Sequence, residues 1–168
     1  MRDAYFAGGC FWCITPCFDA LEGVCGVTSG FSGGDEVDPE YEAVKAQRTH
    51  HRETIRVRYD EQRIAYARLL EVFLANVDPF DGGGQFIDRG ASYTLAIYWQ
   101  DAAERDAAER RLRALAQASG REIFVALEPF RGFYEAEEYH QNYYLKHPEA
   151  FEREMVESGR RKAGEARR

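Results

Sequence analysis

The sequence predicts an α+β fold: a single-domain α/β sandwich in which helices flank one sheet. Three observations carry this. Stretches with the two-residue alternation of strands are interleaved with stretches of helical spacing. They are not interleaved in the strict strand–helix order that would build a doubly wound parallel sheet. The 168 residues suit one domain with a sizeable core, and no internal repeat or linker divides them.

In chain order, "DAYFA" reads as a short strand ending at Gly8-Gly9. A helix is expected from near Cys13 to Leu21, because Pro16 is tolerated in a first turn and not beyond it. Cys10 then stands at or just before a helix N-terminus. "GVCGVTSGFSGG" is a strand closed by a glycine turn, and "DPEYEAV" a short helical turn. In "ETIRVRYD" the residues Ile55, Val57 and Tyr59 share one face of a strand, with Arg56 and Arg58 on the other. Between Ala65 and Val77 the apolar positions Tyr66, Leu69, Leu70, Phe73 and Val77 follow helical spacing, and Asp78-Pro79 ends the run. A glycine-rich loop, "DPFDGGGQFIDRGAS", leads into the strand "YTLAIYW". "DAAERDAAERRLRALAQAS" is a helix closed by Gly120. "IFVALEP" is a strand, "AEEYHQNYYLKH" a helix, and everything after Pro148 a charged helical tail.

Bulk composition excludes some classes of function. The chain is 45% hydrophobic and 14% aromatic, as in globular proteins. Its net charge of −7, from 29 acidic and 22 basic residues, argues against nucleic acid as an obligate partner, since phosphate binding wants a basic face. No stretch approaches the apolar length needed to cross a bilayer. The start "MRDAYFAGGCFWCI" lacks the layout of a signal peptide, so the expected location is cytoplasmic.

All four cysteines, Cys10, Cys13, Cys17 and Cys25, fall in the first 25 residues. A disulfide scaffold would spread them to staple distant segments. Clustering points instead to redox or metal chemistry, most of all for Cys10 and Cys13. A thiol attacks as the thiolate, and a helix N-terminus lowers its pKa through unpaired N–H groups and the dipole. Gly8 and Gly9 would let a substrate approach the backbone closely there. Glu53 shares the face of Ile55, Val57 and Tyr59. Buried, it would be a raised-pKa acid, but strand pattern alone favours a solvated residue just outside the strand. Tyr93 shares a face with Leu95, Ile97 and Trp99. Asp88 in the glycine-rich loop and Tyr41 in "DPEYEAV" read by default as a turn former and a surface ring.

Two other chemistries are open to residues of these types. Cys10 and Cys13 with His50-His51 offer four zinc ligands, but no second CxxC is present and adjacent histidines rarely face one ion. His140 and His147, seven apart on a predicted helix, are about 10 Å apart along it, too far to share a metal. A thioredoxin-like dithiol usually has small residues or a proline between its cysteines, where this chain has Phe11 and Trp12. Those rings look more like a pocket for an apolar group.

"GGCFWC", "TSGFSGG", "DPEYEAV", "DPFDGGGQFIDRGASYTLAIY" and "FYEAEEYHQNYYLKHP" together resemble the peptide methionine sulfoxide reductase A family, which reduces the S-epimer of methionine sulfoxide. The blocks run in order from about Tyr5 to Pro148. The resemblance implies a mixed, mainly antiparallel sheet with a ferredoxin-like core, a catalytic domain over 1–148 and a charged helical tail over 149–168. It implies that Cys10 attacks the sulfoxide sulfur and becomes a sulfenic acid. Phe11 and Trp12 would hold the substrate methyl, and Glu53 would protonate the departing oxygen. Tyr41 and Tyr93 would hydrogen-bond around that oxygen, Asp88 would support them, and His140 would line the substrate's backbone side. The substrate would be methionine sulfoxide, free or in proteins, and the reductant a thioredoxin or glutaredoxin. No metal, organic cofactor or membrane is implied.

The chain departs from the family at several points. Phe31 stands where a tyrosine is common, His50-His51-Arg52-Glu53 replaces a GHAE stretch, and Lys45 stands where some members have a cysteine. No cysteine follows Cys25, so a C-terminal thiol cannot regenerate Cys10. Cys13 is the nearest candidate, since an i,i+3 pair at a helix start can close a disulfide with modest adjustment. Cys17 lies about 10 Å from Cys10 along a regular helix. Cys25 cannot be placed from sequence, and direct attack by an external thiol is the alternative.

Overall fold

The computed structural model describes residues 1–161. Its centre is a six-stranded sheet in the order β7-β6-β1-β3-β2-β8. The strands are β1 (Arg2–Gly8), β2 (Val24–Ser32), β3 (Arg52–Tyr59), β6 (Leu95–Trp99), β7 (Val125–Pro129) and the two-residue β8 (Tyr134–Glu135). Every pairing is antiparallel except β6 with β7. A separate two-residue hairpin, β4 (Gly84–Gln85) with β5 (Asp88–Arg89), lies in the glycine-rich loop. The helices are α1 (Phe11–Asp19), α2 (Tyr41–Lys45), α3 (Tyr66–Ala75), α4 (Ala102–Ser119), α5 (Tyr143–Lys146) and α6 (Pro148–Glu157). The run β1-α1-β2-β3-α3-β6 with spatial order β6-β1-β3-β2 is the ferredoxin-like core.

β1 is buried on both faces, which explains its apolar run. Ala4 and Phe6 join the large core under α1 and α3, where Phe6 stacks on Phe18 at 5.5 Å and on Phe73 at 5.1 Å. Tyr5 and Ala7 face the other way, under Phe130 and Phe133. α4 ends as its sequence specifies: Asp101 caps the N-terminus by accepting from the Glu104 N–H at 2.9 Å, and Gly120 closes it at φ 65°.

Three local expectations are corrected. α1 begins at Phe11, not near Cys13, and Pro16 sits inside the helix, where it removes one i→i−4 hydrogen bond. Tyr93 ends a 3-10 turn (Ala91–Tyr93) ahead of β6 rather than starting that strand. "AEEYHQNYYLKH" is not one helix. A 3-10 turn (Glu138–His140) is followed by extended Gln141, left-handed Asn142 at φ 52° and the short α5. The cause is Gln141, whose side-chain amide accepts from the Ser29 N–H at 2.8 Å and donates to the Ser29 and Ala136 carbonyls at 2.9 Å. That side chain does the work of a bridging strand, and the helix yields to it.

Residues from 149 onward, expected as a charged tail, begin with α6, whose Phe151 and Met155 are buried against Cys10 and Cys13. The last part of the expected tail, 162–168, lies outside the described residues.

Candidate active site

The site forms at one end of the sheet, where β1 finishes, β3 starts and the chain turns into α1. The pairing of Phe6 with Ile55 brings Gly8 level with Glu53, two residues further along each strand. Phe31 of β2 pairs directly with Glu53. Gly8 lies under α1 so closely that a Cβ there would stand 2.2 Å from Ile14 Cδ1. Gly9 has φ +82°, which glycine adopts without the cost an L side chain meets, and it delivers Cys10 to the first turn of α1.

Cys10 is the N-cap residue of α1 and is 6% exposed. Its thiol is held well above the usual range, first by its hydrogen bond with Cys13, then by burial and the nearby Cys13, Glu53 and Glu154. The expectation of a helix-lowered pKa is therefore corrected for this resting arrangement. The physical reason is the Cys13 thiol against the sulfur and the burial of both, while the first helical N–H, that of Phe11, donates to Glu53 Oε1 at 3.2 Å. The helix end stabilises the carboxyl instead of the sulfur.

Glu53 is 1% exposed, so the bland reading of a solvated strand end is corrected as well. Burial pushes its pKa up to about 8, with Asp88 adding to the rise and the Phe11 N–H, Tyr93 hydroxyl and Lys45 opposing it. At neutral pH the carboxyl carries its proton. Its Oε2 has no hydrogen-bond partner among the described residues. A buried acid with one oxygen fixed and the other unengaged is poised to donate.

Tyr93 is 8% exposed, and burial with Glu53 and Asp88 raises its pKa, so it stays a hydroxyl. Tyr41, half-buried, is raised by burial and by Glu53. The two segments are tied together by Gln47, whose amide donates to Ser92 Oγ at 2.7 Å and accepts from the Ser92 N–H at 2.9 Å. Asp88 is half-buried and also raised by burial.

The aromatic residues collect around His140. Its ring centroid lies 4.1 Å from Tyr41 and 5.6 Å from both Phe11 and Trp12. Trp12 stacks on Tyr143 at 4.1 Å, and Phe11 meets Phe31 at 5.8 Å. His140 is 1% exposed, and burial lowers its pKa to about 4, so it is neutral at pH 7. Neither ring nitrogen of His140, nor Trp12 Nε1, has a hydrogen-bond partner in the described structure. An apolar cage with three unengaged polar atoms can accept a small group that is apolar at one end and polar at the other.

Sequence reasoning missed Glu154 and Arg160. The sulfurs of Cys10 and Cys13 and a Glu154 carboxylate oxygen lie within 4.8 Å of one another. These three could hold a soft divalent cation, at the expense of the nucleophile. His50 and His51 stand apart from them, engaged with Glu36 and the Gly34 N–H. Arg160, 5% exposed, donates to the Gly8 carbonyl at 3.1 Å and lies over the Phe86 ring at 4.8 Å. The available signal was Phe151 and Met155, four apart, which give α6 an apolar face.

The chain is similar to known proteins over most of its length. Residues 2–167 match the family model described as peptide methionine sulfoxide reductase. The chain is 44% identical over 154 residues to the peptide methionine sulfoxide reductase MsrA of Streptococcus equi subsp. equi, covering 90% of each protein. Among solved structures it is similar to methionine sulfoxide reductase A of Corynebacterium diphtheriae, at 30% identity and TM-score 0.77. That match covers 88% of this chain and 75% of the other. It is similar too to reduced Mxr1 of Saccharomyces cerevisiae, at 26% identity and TM-score 0.83, over 88% and 86% of the two chains.

Proposed function

The chain belongs to the peptide methionine sulfoxide reductase family, and from that membership we propose how its own residues carry out the reaction. That reaction is the thiol-dependent reduction of methionine S-sulfoxide, free or in proteins, to methionine. The observation that carries the proposal is a fully buried Glu53, its pKa pushed up to about 8, whose charge is felt by the buried Cys10 thiol.

The substrate's S-methyl enters the cage of Phe11 and Trp12, with His140 beside its backbone. The sulfoxide oxygen meets Glu53, with the Tyr41 and Tyr93 hydroxyls around it and Asp88 in support. Glu53 gives its proton to that oxygen, which makes the sulfur electrophilic. The Cys10 thiol gives up its proton as the attack develops, the proton returns to the Glu53 carboxylate, and the Cys10 sulfur takes the oxygen. The S–O bond of the substrate breaks, methionine leaves, and Cys10 is left as a sulfenic acid.

Protonated Glu53 also helps the nucleophile, because a neutral carboxyl no longer repels a thiolate. Cys13 then attacks the sulfenic sulfur, water leaves, and a Cys10–Cys13 disulfide forms. Cys25 is not placed for this: it lies six residues before Phe31 along β2, about 20 Å at strand rise. A dithiol protein of the thioredoxin or glutaredoxin type returns the disulfide to thiols. A thiol-driven cycle persists in a reducing compartment, so the proposed location is the cytoplasm. No helix among the described residues is long and apolar enough to cross a membrane.

The test is methionine release from separated S- and R-sulfoxides with dithiothreitol as reductant. Release from the S form alone is expected. Reduction of insulin disulfides without release from either epimer would overturn the proposal in favour of a dithiol oxidoreductase.

A further inference from the structure

On spacing alone, Cys10 and Cys13 look to His50 and His51 for further metal ligands, but those rings are engaged with Glu36 and the Gly34 N–H. A different third ligand comes from the other end of the chain. α6 lays its buried residues Phe151 and Met155 against Cys10 and Cys13. Glu154 follows Phe151 by three residues, so helical spacing puts it on the same side of α6. One carboxylate oxygen of Glu154 and the sulfurs of Cys10 and Cys13 all lie within 4.8 Å of one another. Glu154 is half-buried and makes no ion pair among the described residues, while Arg160 and Lys45 act on it from a distance.

Tetrahedral zinc, with Zn–S about 2.3 Å and Zn–O about 2.0–2.2 Å, sets its ligand atoms about 3.6–3.8 Å apart. A contraction of about 1 Å or less brings the three atoms to that spacing. Thiolates with one carboxylate suit a soft or borderline divalent cation, whereas Mg²⁺ and Ca²⁺ want oxygen throughout. Three protein ligands leave the fourth position to water. The charges of Cys13 and Glu154 both act on the Cys10 sulfur, and a divalent ion among the three turns that repulsion into attraction. Entry is from behind α1, where Cys13, Phe151 and Met155 form part of the wall of a cavity of about 570 Å³ that also meets the exposed Arg68 and Glu71. Glu53, Tyr41 and Tyr93 do not line that cavity, so the ion and a sulfoxide reach Cys10 from different sides.

We propose that Cys10, Cys13 and Glu154 form a reversible zinc site, at which one bound Zn²⁺ takes the nucleophile out of use. Binding exchanges the two thiol protons for the ion, and both protons pass to solvent. The Glu154 carboxylate supplies the third ligand atom, and no electron is transferred. A chelator withdraws the ion and returns both thiols to their protonated form. The ion site stands on the geometry of the three side chains, and its effect on turnover rests on the proposed reductase cycle.

The test titrates reduced protein, freed of metal and reductant, with cadmium chloride and follows the ultraviolet thiolate-to-cadmium absorption. One ion per protein with the intensity of two thiolates is expected, and zinc chloride should displace it. The intensity should halve in Cys10→Ser and stay unchanged in Cys17→Ser. Glu154→Gln should keep the intensity and weaken binding by roughly 10–100-fold or more, since even groups behind the ligands are worth that much. Methionine release from the S-sulfoxide by reduced protein should stop with one equivalent of Zn²⁺ and return with EDTA. In metal-free Glu154→Gln it should match that of the unaltered protein. No thiolate band in the unaltered protein, an undiminished band in Cys10→Ser, or a diminished one in Cys17→Ser overturns the site. Should glutamine disturb the fold, Glu154→Asp retracts the same carboxylate, and undiminished affinity in either variant also overturns it. Absence of methionine release from the metal-free protein overturns the reductase reading, while the cadmium titration still decides the site.

Discussion

Replacing Glu53 by glutamine leaves the shape of the site and removes its titration. Glu53 is 1% exposed, with a pKa moved from 4.5 to about 8 mainly by burial. A carboxyl whose folded pKa lies above its unfolded value binds more protons in the native state. Its contribution to stability is therefore whole below about pH 4.5 and is lost as pH rises towards 8. Each pH unit inside that window costs the fold about 1.4 kcal/mol. Between pH 6 and pH 8 the wild type should lose about 2 kcal/mol that Glu53→Gln does not lose, the slope halving as pH reaches the folded pKa. Urea unfolding of both proteins at pH 6, 7 and 8 measures the difference directly, because other titrating groups are common to the two and cancel. The variant should draw level with the wild type at low pH and exceed it progressively above about pH 4.5. Its turnover should fall by about 10²–10⁴-fold for want of a general acid. The wild-type fall in rate near pH 8 should be absent from whatever turnover the variant retains. A stability gap that stays flat from pH 6 to pH 8 would refute the claim that this carboxyl is protonated in the resting enzyme.

Other perturbations follow from particular contacts. Trp12→Ala removes a wall of the methyl cage and should raise KM for methionine sulfoxide by roughly 10–200-fold, the usual worth of a small apolar contact, in steady-state assays. Gly9→Ala places a Cβ 2.5 Å from Arg160 Nη2 and 2.8 Å from Gln85 Cβ at φ +82°. It should cost about 2 kcal/mol or more in urea unfolding, from the left-handed backbone and the displaced neighbours. Activity should fall with it, because Cys10 is the next residue. Asp101→Ala deletes the cap of α4 and should cost about 0.5–2 kcal/mol by the same assay, with KM unchanged.

Much of this architecture is local and was therefore legible. The alternation in "ETIRVRYD", the helical spacing from Tyr66 to Val77 and the Asp101 and Gly120 caps each specify their element without help from distant residues. What sequence reading misjudged depends on long-range contacts. Glu53 is buried because Phe31 pairs with it from β2 and the Phe11 N–H reaches it from α1. The helix expected over "AEEYHQNYYLKH" breaks because the Gln141 amide finds Ser29 more than a hundred residues away. The thiol pKa was judged from the helix end alone, while the structure sets two carboxyl groups and a second thiol around the sulfur. Pro16 inside α1 overrides a local preference, since the helix is held by the burial of Phe11, Ile14 and Phe18.

The central claim is that the Cys10 sulfur takes the oxygen from the sulfoxide. The most direct measurement uses Cys13→Ser, in which the nearest resolving thiol is gone. That variant is incubated with methionine S-sulfoxide and a 1,3-dione that traps sulfenic acids, without reductant. The account predicts one methionine released for each dione adduct, with every adduct on the peptide carrying Cys10. Methionine released without an adduct at Cys10, or in equal amount from Cys10→Ser, would contradict it.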